Sequence, residues 1–203
     1  MATTSIGAPG VTFPDATVQA TAAAPNVVMN VYTTPGTWTK PSTVKAIKVT
    51  VVGGGAGGAA TGTNPSGGGG GAAIKVYPAP SIPGPQPYTV GATTSSPVPG
   101  PTGGGFAGNA SAFGAAPVTV LTGSGGTTST TGAGGAASGG DLNAPGGPSI
   151  EVIMPSPPGP VLIASYGGKS ILGLKSGPTG AYGAGGDKSV AGRAGVVIIE
   201  EFY

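Results

Sequence analysis

Groups able to do chemistry are scarce in this chain of 203 residues, and what is missing is as telling as what is there. There is no His and no Cys, which removes Ser-His-Asp triads, thiol nucleophiles, thiolate or imidazole metal sites and disulfides together. The acids are Asp15, Asp141, Glu151, Asp187, Glu200 and Glu201. A glycosidase would need two of them across a substrate cleft. Asp141 and Asp187 instead sit in glycine-rich turns, where a carboxylate usually accepts backbone N–H groups, and Glu200 and Glu201 fall in a terminal strand pattern. No catalytic set and no metal ligands are expected. Gly53 to Gly58 satisfies the G-x-G-x-x-G spacing directly after a strand pattern. The downstream residues, Thr61-Gly62-Thr63-Asn64-Pro65 and then five glycines, cannot build the helix whose N-terminus would receive a pyrophosphate. Gly168-Lys169-Ser170 resembles the end of a P-loop, but Ile163 stands where its first glycine belongs. No cofactor is expected.

The elements that would position any site are therefore the real content of the sequence. Glycine (43) and proline (22) make up roughly a third of the chain, a composition that often marks low-complexity disorder. Charge argues otherwise. Eight Lys and Arg against six Asp and Glu leave a net charge of +2, and the mean hydropathy is +0.22, whereas disordered chains are charged and poor in apolar groups. The few basic residues are scattered, so no stripe exists to neutralise several phosphates and nucleic-acid binding is not expected. No run of about 18 apolar residues occurs, and the first residues lack both a basic and an apolar region, so neither membrane insertion nor a secretory leader is expected.

Val (19) and Ile (10) outnumber Leu (5), which favours strands because β-branched side chains suit a pleated surface. Strand patterns lie at residues 27–32, 37–41, 44–52, 74–77, 88–90, 118–121, 150–154, 161–163 and 196–203. In the clearest, Ile47, Val49 and Val51 share one face while Lys48 and Thr50 share the other. Glu200 and Glu201 are opposite in sign to Lys45 and Lys48, so the first long strand is expected to pair with the last. Trp38 reads as the apolar plug of a hairpin. Phe106 and Phe113 could serve equally as wedges or as exposed contacts. The fold expected is all-β, with short strands and glycine-rich segments of polyproline II type packed as a sandwich and essentially no helix. Residues 1–24 form an N-terminal arm and residues 25–203 the body.

Glycine tracts lie at 53–60, 67–73, 103–105, 123–126, 132–140 and 183–186, and several fall directly before or after strand patterns. Gly177, Gly180, Gly183, Gly186, Gly192 and Gly195 lie at steps of three, with Ser189 in the missing slot. Three residues per turn is the repeat of polyproline II, a helix without internal hydrogen bonds. Each buried N–H and C=O must then find a partner on a neighbouring segment, and edges without side chains allow the close approach this needs. The prolines from Pro78 to Pro87 fit the same backbone and are expected to stiffen one connection.

Several of these stretches carry a resemblance. Thr34-Pro35-Gly36-Thr37-Trp38-Thr39-Lys40-Pro41, Val51-Val52-Gly53-Gly54-Gly55, Ser138-Gly139-Gly140-Asp141, Tyr182-Gly183-Ala184-Gly185-Gly186 and the closing residues 195–203 resemble the glycine-rich domain of bacteriophage tail fibres and related virion proteins. The likeness covers about residues 33–203. Residues 11–22 are similar to a short segment of phage fibre proteins, with Ala16 where that segment usually has Gly. The resemblance implies a structural or adhesive virion component, made in the bacterial host cytoplasm and exposed on the tail or particle surface. Its partners would be other virion proteins and a host surface glycan or protein, with a homo-oligomer, usually a trimer, as the assembly. Phe13, Pro14, Asp15, Thr17, Val18 and Gln19 are then the candidates for docking on the virion. Receptor contacts would lie in the loops 61–66, 93–102, 127–131 and 155–160, with Thr61, Asn64, Thr128, Thr130 and Pro157 as candidates. A capsid decoration or tail-connecting protein with no receptor role is the alternative.

Overall fold

The structure, a computed structural model, describes residues 5–7, 10–12, 18–19, 27–59, 66–94, 105–128, 132–157, 159, 161–173 and 182–203. Two five-stranded antiparallel sheets face each other. The first has the order β12-β7-β6-β15-β4, built from Leu142–Ala144, Ala72–Pro78, Ala46–Val52, Val196–Phe202 and Val27–Tyr32. The second has the order β11-β10-β9-β8-β5, from Ala137–Ser138, Leu121–Gly123, Ser111–Phe113, Gln86–Thr89 and Gly36–Trp38. The alternation of apolar and polar residues along β6 and β15 decides which face meets the partner sheet. Ile47, Val49, Val51, Val197 and Ile199 are fully buried on the inner side and meet Trp38, Tyr88, Phe113 and Leu121 of the other sheet. Aromatic rings close the middle: Phe113 lies 5.9 Å from Tyr77 and 6.3 Å from Trp38, and Tyr32 lies 4.5 Å from Tyr88.

The first long strand does pair with the last, over seven residues from Val52↔Val196 to Ala46↔Phe202. Only one of the expected charge pairs forms. Glu200 lies opposite Lys48 at 2.6 Å, but Glu201 points inward, where it accepts hydrogen bonds from Trp38 Nε1 and Tyr203 Oη, each at 2.7 Å. Trp38 is thus a core residue tied to the final strand, not the plug of a local hairpin.

The remaining described elements are small. β1 (Ser5–Gly7), β2 (Gly10–Thr12) and β3 (Val18–Gln19) form a three-stranded antiparallel sheet, and β13 (Ile150–Met154) pairs with β14 (Val161–Tyr166) as a separate two-stranded hairpin. The one helical turn among the described residues is a 3-10 turn at Ala79–Ser81. It replaces the stiff extended connection expected of the proline stretch, and Pro87 lies within β8. Residues 118–120 are not a strand. Val118 N–H bonds to Ala115 C=O in a turn, and β10 begins only at Leu121.

Candidate functional site

The strands of the sandwich run on directly into glycine segments: β6 into 53–58, β10 into 124–127 and β12 into 146–147, while 67–71 leads into β7, 105–109 into β9 and 190–195 into β15. Their hydrogen bonds follow a rule of three. Along 53–58, the N–H groups of Gly53 and Ala56 go to Gly71 and Gly68, those of Gly54 and Gly57 to Asn109 and Phe106, and those of Gly55 and Gly58 to Arg193 and Val190. Along 67–71, Gly67 and Gly70 bond to Gly186 and Gly183, Gly68 and Gly71 to Thr127 and Ser124, and Gly69 to Gly147. Every third residue addresses the same neighbour, as a helix with three residues per turn requires. The carbonyls of 67–71 accept from three further segments, through Gly53 and Ala56, Gly135 and Gly168. Segment 67–71 is therefore surrounded by six others.

Close approach is the reason for glycine here. A Cβ at Gly53, Gly55, Gly67, Gly68, Gly69 or Gly70 would fall under 3.0 Å from backbone atoms of a neighbouring segment. Positive φ accounts for few of the described glycines, such as Gly139 at φ 80 in the turn between β11 and β12. The steps of three between 183 and 195 belong to two antiparallel segments, not one helix. Gly183 N–H bonds to Ala194 and Arg193 N–H to Ala184, and the chain reverses at residues 187–190, where Ser189 takes φ 59.

This slab gathers loops at one end. Its near end continues into the sandwich; its far end is marked by Ser189 N–H bonding to Ala59, Gly57 to Phe106, Thr127 to Ala133 and Ser149 to Gly132. The chain therefore enters and leaves 60–65, 95–104 and 129–131 from that same end, and both legs of the β13–β14 hairpin join it there. The described residues flanking these stretches, and both legs of the hairpin, thus share one end of the slab. Of the candidate contacts, Thr128 is half-buried and Pro157 is exposed at the hairpin, while Thr61, Asn64 and Thr130 lie outside the described residues. Val18 and Gln19 belong to β3, and Phe13, Pro14, Asp15 and Thr17 lie outside the described residues. No sequence signal marks the 187–190 turn, with exposed Lys188, Ser189 and Val190, as a further member of this end. Phe106 is 51% exposed beside it, while Phe113 is a core residue, so the two aromatics divide the roles of exposed contact and wedge.

Of the described acids, Asp141, Asp187, Glu200 and Glu201 have structural partners. Asp141 accepts Lys75 Nζ at 2.7 Å and Val76 N–H at 3.0 Å; the lysine first and that N–H second hold its carboxyl below the usual range. Asp187 accepts Gly167 N–H at 2.7 Å. Burial pushes the Glu151 carboxyl up. A groove of about 290 Å³ runs between β7 and residues 117–119. Two of its hydroxyls have internal partners: Tyr77 Oη donates to Thr119 C=O at 2.6 Å and Ser81 Oγ to Pro78 C=O at 2.7 Å. Among the described residues, no group of three or more acids could hold a metal, and no helix is long and apolar enough to cross a membrane.

Residues 31–201 match the family described as a glycine-rich domain. The chain belongs to the glycine-rich domain family. The matched span starts within β4 and ends in β15, so it takes in both sheets of the sandwich and the whole slab. No curated protein matches the chain.

Proposed function

We propose that this glycine-rich domain protein is a bacteriophage virion component of tail-fibre or adhesin type. The arm, residues 1–24, docks on another virion protein through Phe13, Pro14, Asp15, Thr17, Val18 and Gln19, and the far-end loops touch a host surface glycan or protein. The observation that supports this is that the described residues flanking 60–65, 95–104 and 129–131, and the legs of the β13–β14 hairpin, lie at one end of a slab held by main-chain bonding. Recognition residues are commonly carried on loops held by a rigid scaffold. With few charges and few aromatics, such a surface would bind each receptor weakly and gain strength from copy number. No catalysis and no cofactor enter this reading.

The test replaces Thr61, Asn64, Thr128 and Thr130 by Ala in the virion-borne protein and measures particle adsorption to host cells. Adsorption falls while incorporation is unchanged. In parallel, a chain lacking residues 1–24 keeps a folded body but is no longer incorporated. High copy number over the shell, with adsorption indifferent to the loop changes, would replace the reading by a capsid decoration or connector.

A further inference from the structure

Edge strands invite pairing with other chains, and proteins usually blunt them with shortness, charge, proline or a bulge. Among the described residues, the strand edges are blunted, with one exception. β5 has three residues, β11 has two, β12 has three beside the charged Asp141, and the β13–β14 hairpin carries a register shift at Val152/Ile153. β4 has none of these devices. It is six residues long, Val27-Val28-Met29-Asn30-Val31-Tyr32, without charge or proline, in unbroken register with β15 from Val197↔Tyr32 to Phe202↔Val27. On the outer face of the sheet it shows Val27 (51% exposed), Met29 (64%) and Val31 (47%).

We propose that β4 is the seam of a two-fold dimer, in which β4 of a second copy pairs antiparallel with it and joins the two first sheets into one of ten strands. An open strand edge is satisfied by an extended backbone, and β4 has no charge with which to select an acidic or basic partner. A second copy supplies a neutral strand of the same pattern. With the axis beside Met29, Met29 faces its own copy and Val27 faces Val31, so the outer row is apolar throughout. The nearest charge to the seam on this face does not oppose a second neutral strand, because Glu200, directly opposite Met29, is already paired with Lys48 within its own copy. A single strand is far smaller than the roughly 20–30 residues a side of a standard interface, so the dimer is weak and depends on concentration. The two-fold departs from the threefold assembly that the family resemblance implies, because strand edges pair isologously only in twos.

The chain has no cysteine, which makes the test direct. In the full-length protein, Met29→Cys is compared under mild oxidation with Val76→Cys. Val76 is 52% exposed and lies in the same cross-sheet row as Met29, Glu200 and Lys48, but on the far side of the sheet. M29C gives a disulfide-linked dimer and V76C stays a single chain. Sedimentation of the unmodified protein over about two decades of concentration shows a shift from one chain to two, lost in the Met29→Lys/Val31→Lys variant. Equal cross-linking of both cysteines, a three-chain species, or one chain at every concentration would each overturn the proposal.

Discussion

At the scale of single residues, the slab makes glycine a steric requirement at some positions and leaves it free at others. A Cβ at Gly70 would meet the Gly53 carbonyl, which is backbone and cannot swing aside, whereas a Cβ at Gly84 would meet nothing within 4 Å. Gly70→Ala should therefore destabilise the protein by about 1–3 kcal/mol or more, as overpacking does. Gly84→Ala should be neutral or gain about 0.4–1 kcal/mol from a stiffer unfolded chain. Thermal unfolding of the two variants measures the contrast, and equal losses would mean that the segments are not in contact. The tyrosines make a second residue-scale prediction. Burial, with the Asp141 charge second, pushes the Tyr77 hydroxyl up to about 12. The unfolded chain loses that proton near pH 10 and the folded one only near 12, so stability falls as pH rises through this window. Tyr32 and Tyr203 are shifted the same way, the first chiefly by burial and the second chiefly by its hydrogen bond to Glu201. Denaturant titrations at several alkaline pH values should show the slope. Tyr77→Phe should reduce it while costing about 0.5–1.5 kcal/mol at neutral pH through the lost bond to Thr119.

At the scale of elements, the number of glycines in each triplet tracks how many sides of a segment are covered. Segment 67–71, with six neighbours, is glycine throughout. Segment 105–110 needs Gly105 and Gly108 against Gly57 and Gly54, and carries exposed Phe106 and Ala107 between them and exposed Asn109 and Ala110 after them. The same contrast separates what is legible in the sequence from what is not. Strands β6 and β15 can be read because seven β-branched or alternating residues in a row leave no other fold for them. β9, β11 and β12 cannot, being two or three residues of mostly small side chains, placed by their partners and not by propensity. Residues 118–120 have the composition of a strand, but Val118 is held in a turn instead. The loops of the candidate site can be found as polar breaks between glycine tracts, yet the gathering of their flanking residues at one end depends on long-range main-chain pairing that no single segment encodes. If that pairing is the fold, the N–H groups of residues 53–58 and 67–71 should exchange with solvent only on global unfolding. Exchange at loop rates in these segments would show them to be tethers.

At the scale of the whole molecule, the slab changes the kind of surface that folding hides. In an ordinary domain the buried area is largely apolar, and unfolding raises the heat capacity by about 12–15 cal/mol/K per residue, which for 203 residues gives about 2.4–3.0 kcal/mol/K. Here a large share of the buried groups are peptide N–H and C=O in glycine segments without side chains, while the larger apolar cluster lies in the sandwich and only a small one reaches the slab, through Tyr182. Exposing polar surface lowers the heat capacity, by about 0.26 cal/K/mol for each Å², against a gain of about 0.45 for apolar surface. The increment measured by calorimetry should therefore fall clearly below that range. A smaller increment flattens the dependence of stability on temperature, so the protein should lose less stability on cooling than a domain of its length held by an oily core. Calorimetry on Gly70→Ala supplies the internal control: it should lower the unfolding temperature through strain while leaving the increment nearly unchanged. A wild-type increment inside the ordinary range would mean that apolar burial, and not the bonded slab, dominates the folding of this chain.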